Sequence, residues 1–90
     1  MSNKFSVLGS IVGINDEAFK VNVRRNFKDY SNEYFYDILN IKTSLGISPT
    51  VIQHMSVGDL VFVSGRLEHD EIDTINLIAE HITLSKDLSL

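Results

Sequence analysis

The chain has 90 residues, of which 43% are hydrophobic and 22% are charged, and its formal net charge at pH 7 is -4. This length allows one domain with a modest core, so we expect residues 1–90 to form a single domain. No apolar run approaches the ~20 residues of a membrane span, and the absence of cysteine excludes disulfides, thiolate metal sites and a cysteine nucleophile.

The first predicted strand covers residues 4–14, where apolar and polar side chains alternate imperfectly. It contains Gly9 and Gly13, and glycine inside a strand indicates a bulge or a tight bend in a curved sheet. This pattern is typical of a barrel strand.

The second predicted strand, residues 18–27, alternates cleanly. Its apolar parity holds Phe19, Val21 and Val23, and the opposite parity is polar. One face of this strand should therefore lie in the core and the other in water.

The third predicted strand, residues 33–43, alternates with one exception. One parity contains Phe35, Leu39 and Ile41, and the other contains Tyr34, Tyr36, Ile38 and Asn40. Asp37 falls on the first, apolar parity, where a carboxylate does not fit. We therefore predict a bulge at Asp37.

A short helix is predicted over residues 48–55, with Ser48 as its N-cap, Pro49 at the first helical position and Gly58 as the glycine that closes it. Two further strands, over residues 59–68 and 74–84, are joined by a short acidic loop.

This order of elements predicts the fold class. Five strands with one short helix between the third and the fourth indicate an all-β protein, the five-stranded Greek-key barrel called the OB-fold.

Four segments of the chain also follow the pattern of one known family. They cover residues 3–11, 19–27, 34–42 and 58–67, and the last matches best because a glycine precedes an apolar strand that ends in Gly-Arg-Leu. The chain resembles the bacterial and phage-type single-stranded DNA-binding proteins, in a short form without their C-terminal tail. The resemblance implies an OB-fold, single-stranded DNA as ligand, and a homodimer or homotetramer.

Two departures from that family concern the binding surface. Asn40 stands where the family usually has Trp or Phe, and the hairpin after the fourth strand is short. Both departures remove aromatic side chains on which bases could stack.

The second and third strands concentrate cationic and aromatic residues. Residues 19–44 carry five basic and three acidic side chains, whereas residues 59–90 carry two basic and seven acidic ones. Single-stranded nucleic acid needs cations along its phosphates and flat rings beneath its bases. The predicted binding residues are Lys20, Asn22, Arg24, Arg25, Phe27, Lys28, Tyr30, Tyr34, Tyr36, Lys42 and Arg66.

Arg24, Arg25 and Lys28 are the expected phosphate contacts. Phe27 and Tyr30 lie in or beside the turn after the second strand, where we expect them to stack on bases; the alternative for Phe27 is that it caps the core.

Three other predicted residues have alternative roles. Tyr34 and Tyr36 should lie on the outer face beside Arg24, where they serve either base stacking or a subunit interface. Arg66 either faces the binding groove or pairs with a nearby acidic residue.

Together these patterns predict sequence-nonspecific binding of single-stranded DNA, in DNA replication, recombination or mobile-element transfer. RNA suits the same surface. One barrel covers only about 4–16 nucleotides, which favours a homodimer or homotetramer. The acidic pI of about 5.1 favours a rival: an OB-fold protein-interaction subunit of a replication or recombination complex, with little DNA binding of its own.

No pattern of catalytic residues is present. His54, His69 and His81 lack the spacing of a metal site, and the acidic loop after the fourth strand lacks the ligand order of a calcium loop. We expect no enzymatic activity, no metal and no cofactor. We also expect a cytoplasmic protein, because the N-terminus lacks the apolar stretch of a signal peptide.

Overall fold

The computed structural model describes residues 3–28, 31–47, 49–70 and 74–87, with the backbone alone at residues 26–28. The elements are β1 (Lys4–Ile14), β2 (Ala18–Lys28), β3 (Tyr34–Thr43), α1 (Pro49–His54), β4 (Leu60–His69), β5 (Ile75–Leu84) and a 3₁₀ turn (Ser85–Asp87). Each predicted strand agrees with an observed one to within one residue at either end, whereas the 3₁₀ turn was not predicted.

The five strands close into a barrel in the order β1-β2-β3-β5-β4. Neighbouring strands are antiparallel except β3 and β5, which run parallel where residues 41–43 pair with residues 77–79. The helix α1 lies in the connection from β3 to β4, as predicted. An all-β barrel of this order with one short α-helix is the OB-fold, so the predicted fold class is confirmed.

The barrel core is formed by the inward parity of the strands. On β2, Phe19 and Val21 are almost fully buried, and Val23 packs against the same cluster. The other buried members of the cluster are Ile11, Ile41, Met55, Val61, Val63, Ala79 and Leu84. Burial of one such large side chain stabilises the fold by about 1.5–3 kcal/mol. The predicted core face of β2 is therefore confirmed, and the opposite face is left for solvent or a ligand.

Glycines stand where two strands come too close for a side chain. A Cβ at Gly65 would overlap the carbonyl oxygen of Ile78, and one at Gly9 would overlap the backbone of β2. The ladder between β1 and β2 also shifts register between Ile11 and Gly13. The irregularity that the glycines of β1 predict is therefore present.

The predicted bulge at Asp37 is wrong. Asp37 pairs with Val23, and the pairs on either side of it keep a constant register. The irregularity lies in β2, which advances four residues from Arg24 to Lys28 while β3 advances two. Asp37 thus occupies a regular strand position, and its place on the apolar parity needs another explanation, given below.

The start of α1 agrees with the prediction, but its end does not. The helix begins at Pro49, and the predicted N-cap Ser48 lies outside the described residues. The helix already ends at His54, so Gly58 does not close it. With a φ of 99°, Gly58 instead turns the chain into β4, in a conformation that favours glycine.

Polar contacts connect the 3₁₀ turn after β5 to α1 and to Asp59, the residue before β4. Asp87 Oδ1 lies 2.7 Å from His54 Nε2. Lys86 Nζ donates to the His54 carbonyl at 2.6 Å and lies 2.8 Å from Asp59 Oδ2. Asp59 also accepts a hydrogen bond from the Ser56 amide. The hydrogen bonds from Lys86 and Ser56 lower the pKa of Asp59.

We expect Gly65→Ala to lower the free energy of unfolding by about 1–3 kcal/mol, because the new methyl group forces the β4 and β5 backbones apart. Gly13→Ala is the matched control, since a Cβ at Gly13 meets only the Lys20 side chain at 3.6 Å or more. Urea unfolding of both variants measures the difference. Equal midpoints for the two variants would contradict the close approach at Gly65.

The lowered pKa of Asp59 predicts a pH-dependent contribution to stability. A carboxyl group with a lower pKa in the folded state stabilises the fold above its unfolded pKa of about 3.9, and this contribution is lost as the pH falls through the folded value. Asp59→Asn should therefore show a smaller loss of stability between about pH 5 and pH 2 than the parent protein. Asp16→Asn, which removes an exposed carboxylate outside this cluster, should retain the parental pH dependence in the same urea titrations.

Candidate nucleic-acid interface

β2 and β3 extend beyond the barrel as a two-stranded ribbon. β1 pairs with β2 only as far as Asn22, and β5 pairs with β3 only over residues 41–43. In the part of the chain that the structure describes, residues 23–28 and 34–40 are therefore paired only with each other. We call these residues the β2–β3 ribbon. Its outer face continues the polar parity of β2, and its inner face continues the core parity.

The outer face of the ribbon places a cation against aromatic rings. Arg24 lies across from Tyr36 in the strand register, and its guanidinium carbon is 4.3 Å from the centre of the Tyr34 ring. Tyr34 is 38% exposed and Tyr36 is 57% exposed. A guanidinium over a ring at this distance makes a cation–π contact, worth about 0.5–1 kcal/mol at an exposed site. The predicted position of both tyrosines beside Arg24 is confirmed.

Arg24 and Tyr36 offer the two contacts that an unstacked nucleotide uses. A guanidinium binds a phosphate through two parallel hydrogen bonds, and a tyrosine ring stacks on a base. Among the described residues no carboxylate pairs with Arg24. Because Arg24 covers one side of the Tyr34 ring, Tyr36 presents more ring surface to a base.

The outer face continues down the barrel with polar residues. Lys20 is exposed, and Asn22 lies on the same parity between Lys20 and Arg24. The side-chain oxygen of Asn22 is buried and has no hydrogen-bond partner among the described residues. Lys42 lies six residues along β3 from Tyr36, about 20 Å away at ~3.3 Å per residue, beside a groove lined by the acidic β1–β2 turn. Lys42 therefore lies on the outer face beside Lys20, which pairs with Asn40, and away from Arg24 and Tyr36.

The inner face of the ribbon carries an ion pair. Arg25 Nε and Nη2 donate to Asp37 Oδ2 and Oδ1 at 2.9 and 2.8 Å. The Arg25 guanidinium carbon also lies 5.6 Å from the centre of the Phe35 ring. The side chains of Arg25 and Asp37 are 45% and 41% exposed, because the inner parity no longer faces the core beyond Val23. This explains the carboxylate on the apolar parity of β3.

The paired hydrogen bonds shift the pKa of both partners. The hydrogen bond with Asp37 raises the pKa of Arg25, and the hydrogen bond with Arg25 lowers the pKa of Asp37. The predicted phosphate contact at Arg25 thus already holds a carboxylate.

Arg66 is not part of the ribbon. It lies on β4, which is separated from β2 by β1 and from β3 by β5 in the ring of strands. Its guanidinium lies 2.9 Å from Glu68 and 3.3 Å from Glu80, and hydrogen bonding to Glu68 is the larger cause of its raised pKa. Of the two roles predicted for Arg66, the structure shows pairing with nearby acidic residues.

The predicted residues near the turn are not described. The side chains of Phe27 and Lys28 and the whole of Tyr30 lie outside the described residues. Their roles as stacking and phosphate-binding residues therefore stay predictions, as does the alternative that Phe27 caps the core.

Asp37 and Phe35 belong to this surface but are not among the predicted binding residues. The signal in the sequence is the position of Asp37 on the apolar parity of β3, which predicts a bulge. That position instead marks an ion pair, because the inward parity of β2 continues from Val23 to a cation, Arg25.

The described residues contain neither a metal-binding cluster nor a membrane-spanning helix. No group of three or more His, Asp or Glu side chains within them is arranged to hold a metal ion. No helix among them is long and apolar enough to cross a membrane.

Comparison with known proteins links this fold to binding proteins of the same architecture. A small single-stranded DNA-binding protein from Streptomyces coelicolor is 16% identical, with a TM-score of 0.67 over 93% of each chain. The S. cerevisiae mitochondrial single-stranded DNA-binding protein Rim1 is 19% identical, with a TM-score of 0.65 over 93% of this chain and 94% of that chain.

A chain of the S. pombe Stn1–Ten1 complex is 21% identical, with a TM-score of 0.59, over 93% of this chain and 59% of that chain. No described protein family and no curated protein sequence matches the chain. At these identities the comparisons establish the OB-fold. The chain is similar in fold to small bacterial and mitochondrial single-stranded DNA-binding proteins, as its sequence resemblance predicted.

Proposed function

We propose that this protein binds single-stranded DNA without strong sequence preference, in DNA replication, recombination or mobile-element transfer in the cytoplasm. The observation that carries the proposal is the Arg24 guanidinium stacked on Tyr34 beside the exposed Tyr36 ring, on a ribbon that extends beyond the barrel. Two proteins of similar fold are themselves single-stranded DNA-binding proteins, which supports it.

The chemistry of this surface accounts for the lack of sequence preference. Phosphates are bound by Arg24 and Lys20, and by Lys28 near the turn, while bases stack on Tyr36. Phosphate contacts carry no sequence information, and every base has a face that stacks. The proposed role is therefore binding and not catalysis.

A protein-interaction role is the second candidate. Two of the predicted DNA-binding cations, Arg25 and Arg66, are paired with carboxylates, which reduces the positive charge available to DNA. The Stn1–Ten1 complex shows that a chain of similar fold belongs to a protein assembly. This candidate predicts a folded protein that binds no nucleic acid.

The proposed active form is a homodimer or homotetramer that associates through the outer face of β1, β4 and β5. Three exposed apolar residues lie together there: Leu8 pairs with Phe62, and Leu60 lies two residues before Phe62 on the same face of β4. The neighbouring side chains on this face are Ser6, Ser10, Ser64, His81 and Thr83. A depletion of charged residues around exposed apolar ones is typical of the centre of a protein interface. Association through this face leaves Tyr34 and Tyr36 available to DNA.

Titration with labelled oligo-dT, duplex DNA and RNA at two salt concentrations tests the function. Arg24→Ala should weaken binding to every single strand and reduce the salt slope by about 0.7, because one phosphate contact is lost. Tyr36→Ala should reduce affinity by about ten- to a hundredfold with an unchanged salt slope, because a stacked base is worth about 1–3 kcal/mol.

Lys4→Ala is the matched control for the loss of one charge, since Lys4 is exposed on β1 away from the ribbon. It should bind like the parent protein. Circular dichroism must show the same fold for all variants. A folded parent protein that binds none of the three ligands would favour the protein-interaction role.

Light scattering tests the proposed assembly. The parent protein should have two or four times the 10.1 kDa mass of one chain. Phe62→Lys should reduce the mass to that of one chain, because the interface would bury the new charge without a partner. Leu45→Lys, which changes a fully exposed leucine outside this face, should leave the mass unchanged. A single-chain mass for the parent protein across micromolar concentrations would contradict the proposal.

A further inference from the structure

We infer that Asp37 is an internal competitor for phosphate, which holds Arg25 away from the DNA that the ribbon binds. The inference rests on the proposed function and concerns the strength and salt dependence of binding at the same site. It assigns opposite roles to two adjacent arginines: Arg24 contacts phosphate, whereas Arg25 is neutralised within the protein.

The geometry of the ion pair is the first support. Arg25 uses Nε and Nη2 to hold both oxygens of Asp37, at 2.9 and 2.8 Å. This fork of two parallel N–H groups is one of the two edges through which a guanidinium binds phosphate. A phosphate that took the same fork would first have to displace the carboxylate. Asp37 thus occupies one phosphate-binding edge of Arg25 and cancels its charge.

The position of the pair on the ribbon is the second support. Asp37 lies opposite Val23 on the inner parity, and Arg25 reaches it on that side, close to the Phe35 ring. Arg24, the preceding residue, points to the outer face and stacks on Tyr34. The ion pair therefore holds the Arg25 guanidinium on the opposite side of the ribbon from the proposed stacking surface.

The charge state of the pair is the third support. An aspartate carboxyl is ionised at neutral pH, and hydrogen bonding from Arg25 lowers the pKa of Asp37 further. A permanently ionised carboxylate cancels the arginine charge whenever DNA is present. Bound counterions are released only where a protein cation replaces them on phosphate, so Arg25 should add little to the salt dependence of the parent protein.

Oligo-dT titrations at several salt concentrations test the inference with single and double variants. The double variant Arg25→Ala/Asp37→Asn, which removes the neutral pair as a unit, should bind within about twofold of the parent protein with the same salt slope. Asp37→Asn should bind about fivefold more tightly near 0.1 M salt, with a slope steeper by about 0.7, because Arg25 becomes one additional phosphate contact. In the Asp37→Asn background, Arg25→Ala should remove this gain.

Two controls separate this effect from simpler ones. Asp16→Asn makes the same change in net charge about 20 Å or more along the sheet, beyond the screening distance of about 10 Å, and should change affinity by less than about twofold. Asp37→Glu retains the carboxylate and should behave like the parent protein. Light scattering must show the same mass for each variant, so that altered assembly does not imitate tighter binding.

The inference is overturned if the double variant Arg25→Ala/Asp37→Asn binds as weakly as Arg24→Ala, or if Asp37→Asn binds no more tightly than Asp16→Asn. Weaker binding by Asp37→Asn would also overturn it, because Asp37 would then orient Arg25 towards DNA. A parent protein that binds no single strand would overturn the proposed function along with the inference. Binding by the parent protein with no effect of Asp37→Asn would overturn the inference alone.

Discussion

The length of β2 and β3 relative to the barrel determines the character of the exposed surface. The closed ring pairs β1 with β2 only as far as Asn22 and β5 with β3 only over residues 41–43, and the remaining residues continue as a ribbon. A strand that leaves a barrel keeps its two-residue alternation but loses the core on its inner side. Inner positions of the ribbon beyond Val23 and Leu39, which still pack against the core, are therefore more exposed, and Arg25 and Asp37 occupy two of them.

Ion pairing then decides which cations act on a ligand. Arg25 and Arg66 are both held by carboxylates, and exposed pairs of this kind contribute little to stability. Their larger effect is on the local potential, because each pair is neutral as a unit. Arg24 instead lies against an aromatic ring, and no carboxylate among the described residues cancels its charge. A protein with a net charge of -4 can thus present a cation where stacking rings are exposed.

Much of this arrangement follows from local sequence, and the rest depends on distant pairing. The alternation of Phe19 and Val21 with polar residues predicts the faces of β2, because one face must be buried. The point at which the barrel stops cannot be read from alternation, since it depends on how β5 meets β3. Alternation alone therefore predicts a bulge at Asp37, where the structure has an exposed ion pair. The sequence leaves two roles open for Arg66 for the same reason, because Glu80 becomes its neighbour only through the pairing of β4 with β5.

The ribbon also has to remain soluble while it exposes aromatic residues. In the described part of the chain, residues 34–40 have no neighbour on the β5 side, and Tyr34, Phe35, Tyr36 and Ile38 are all exposed. An unpaired edge of this composition readily adds another strand, and a charged residue within the edge opposes such pairing. Asp37 supplies a charged side chain at the centre of the segment. Asp37 thus opposes edge pairing while the neighbouring aromatic rings remain exposed for stacking. The same carboxylate pairs with Arg25 and neutralises its charge.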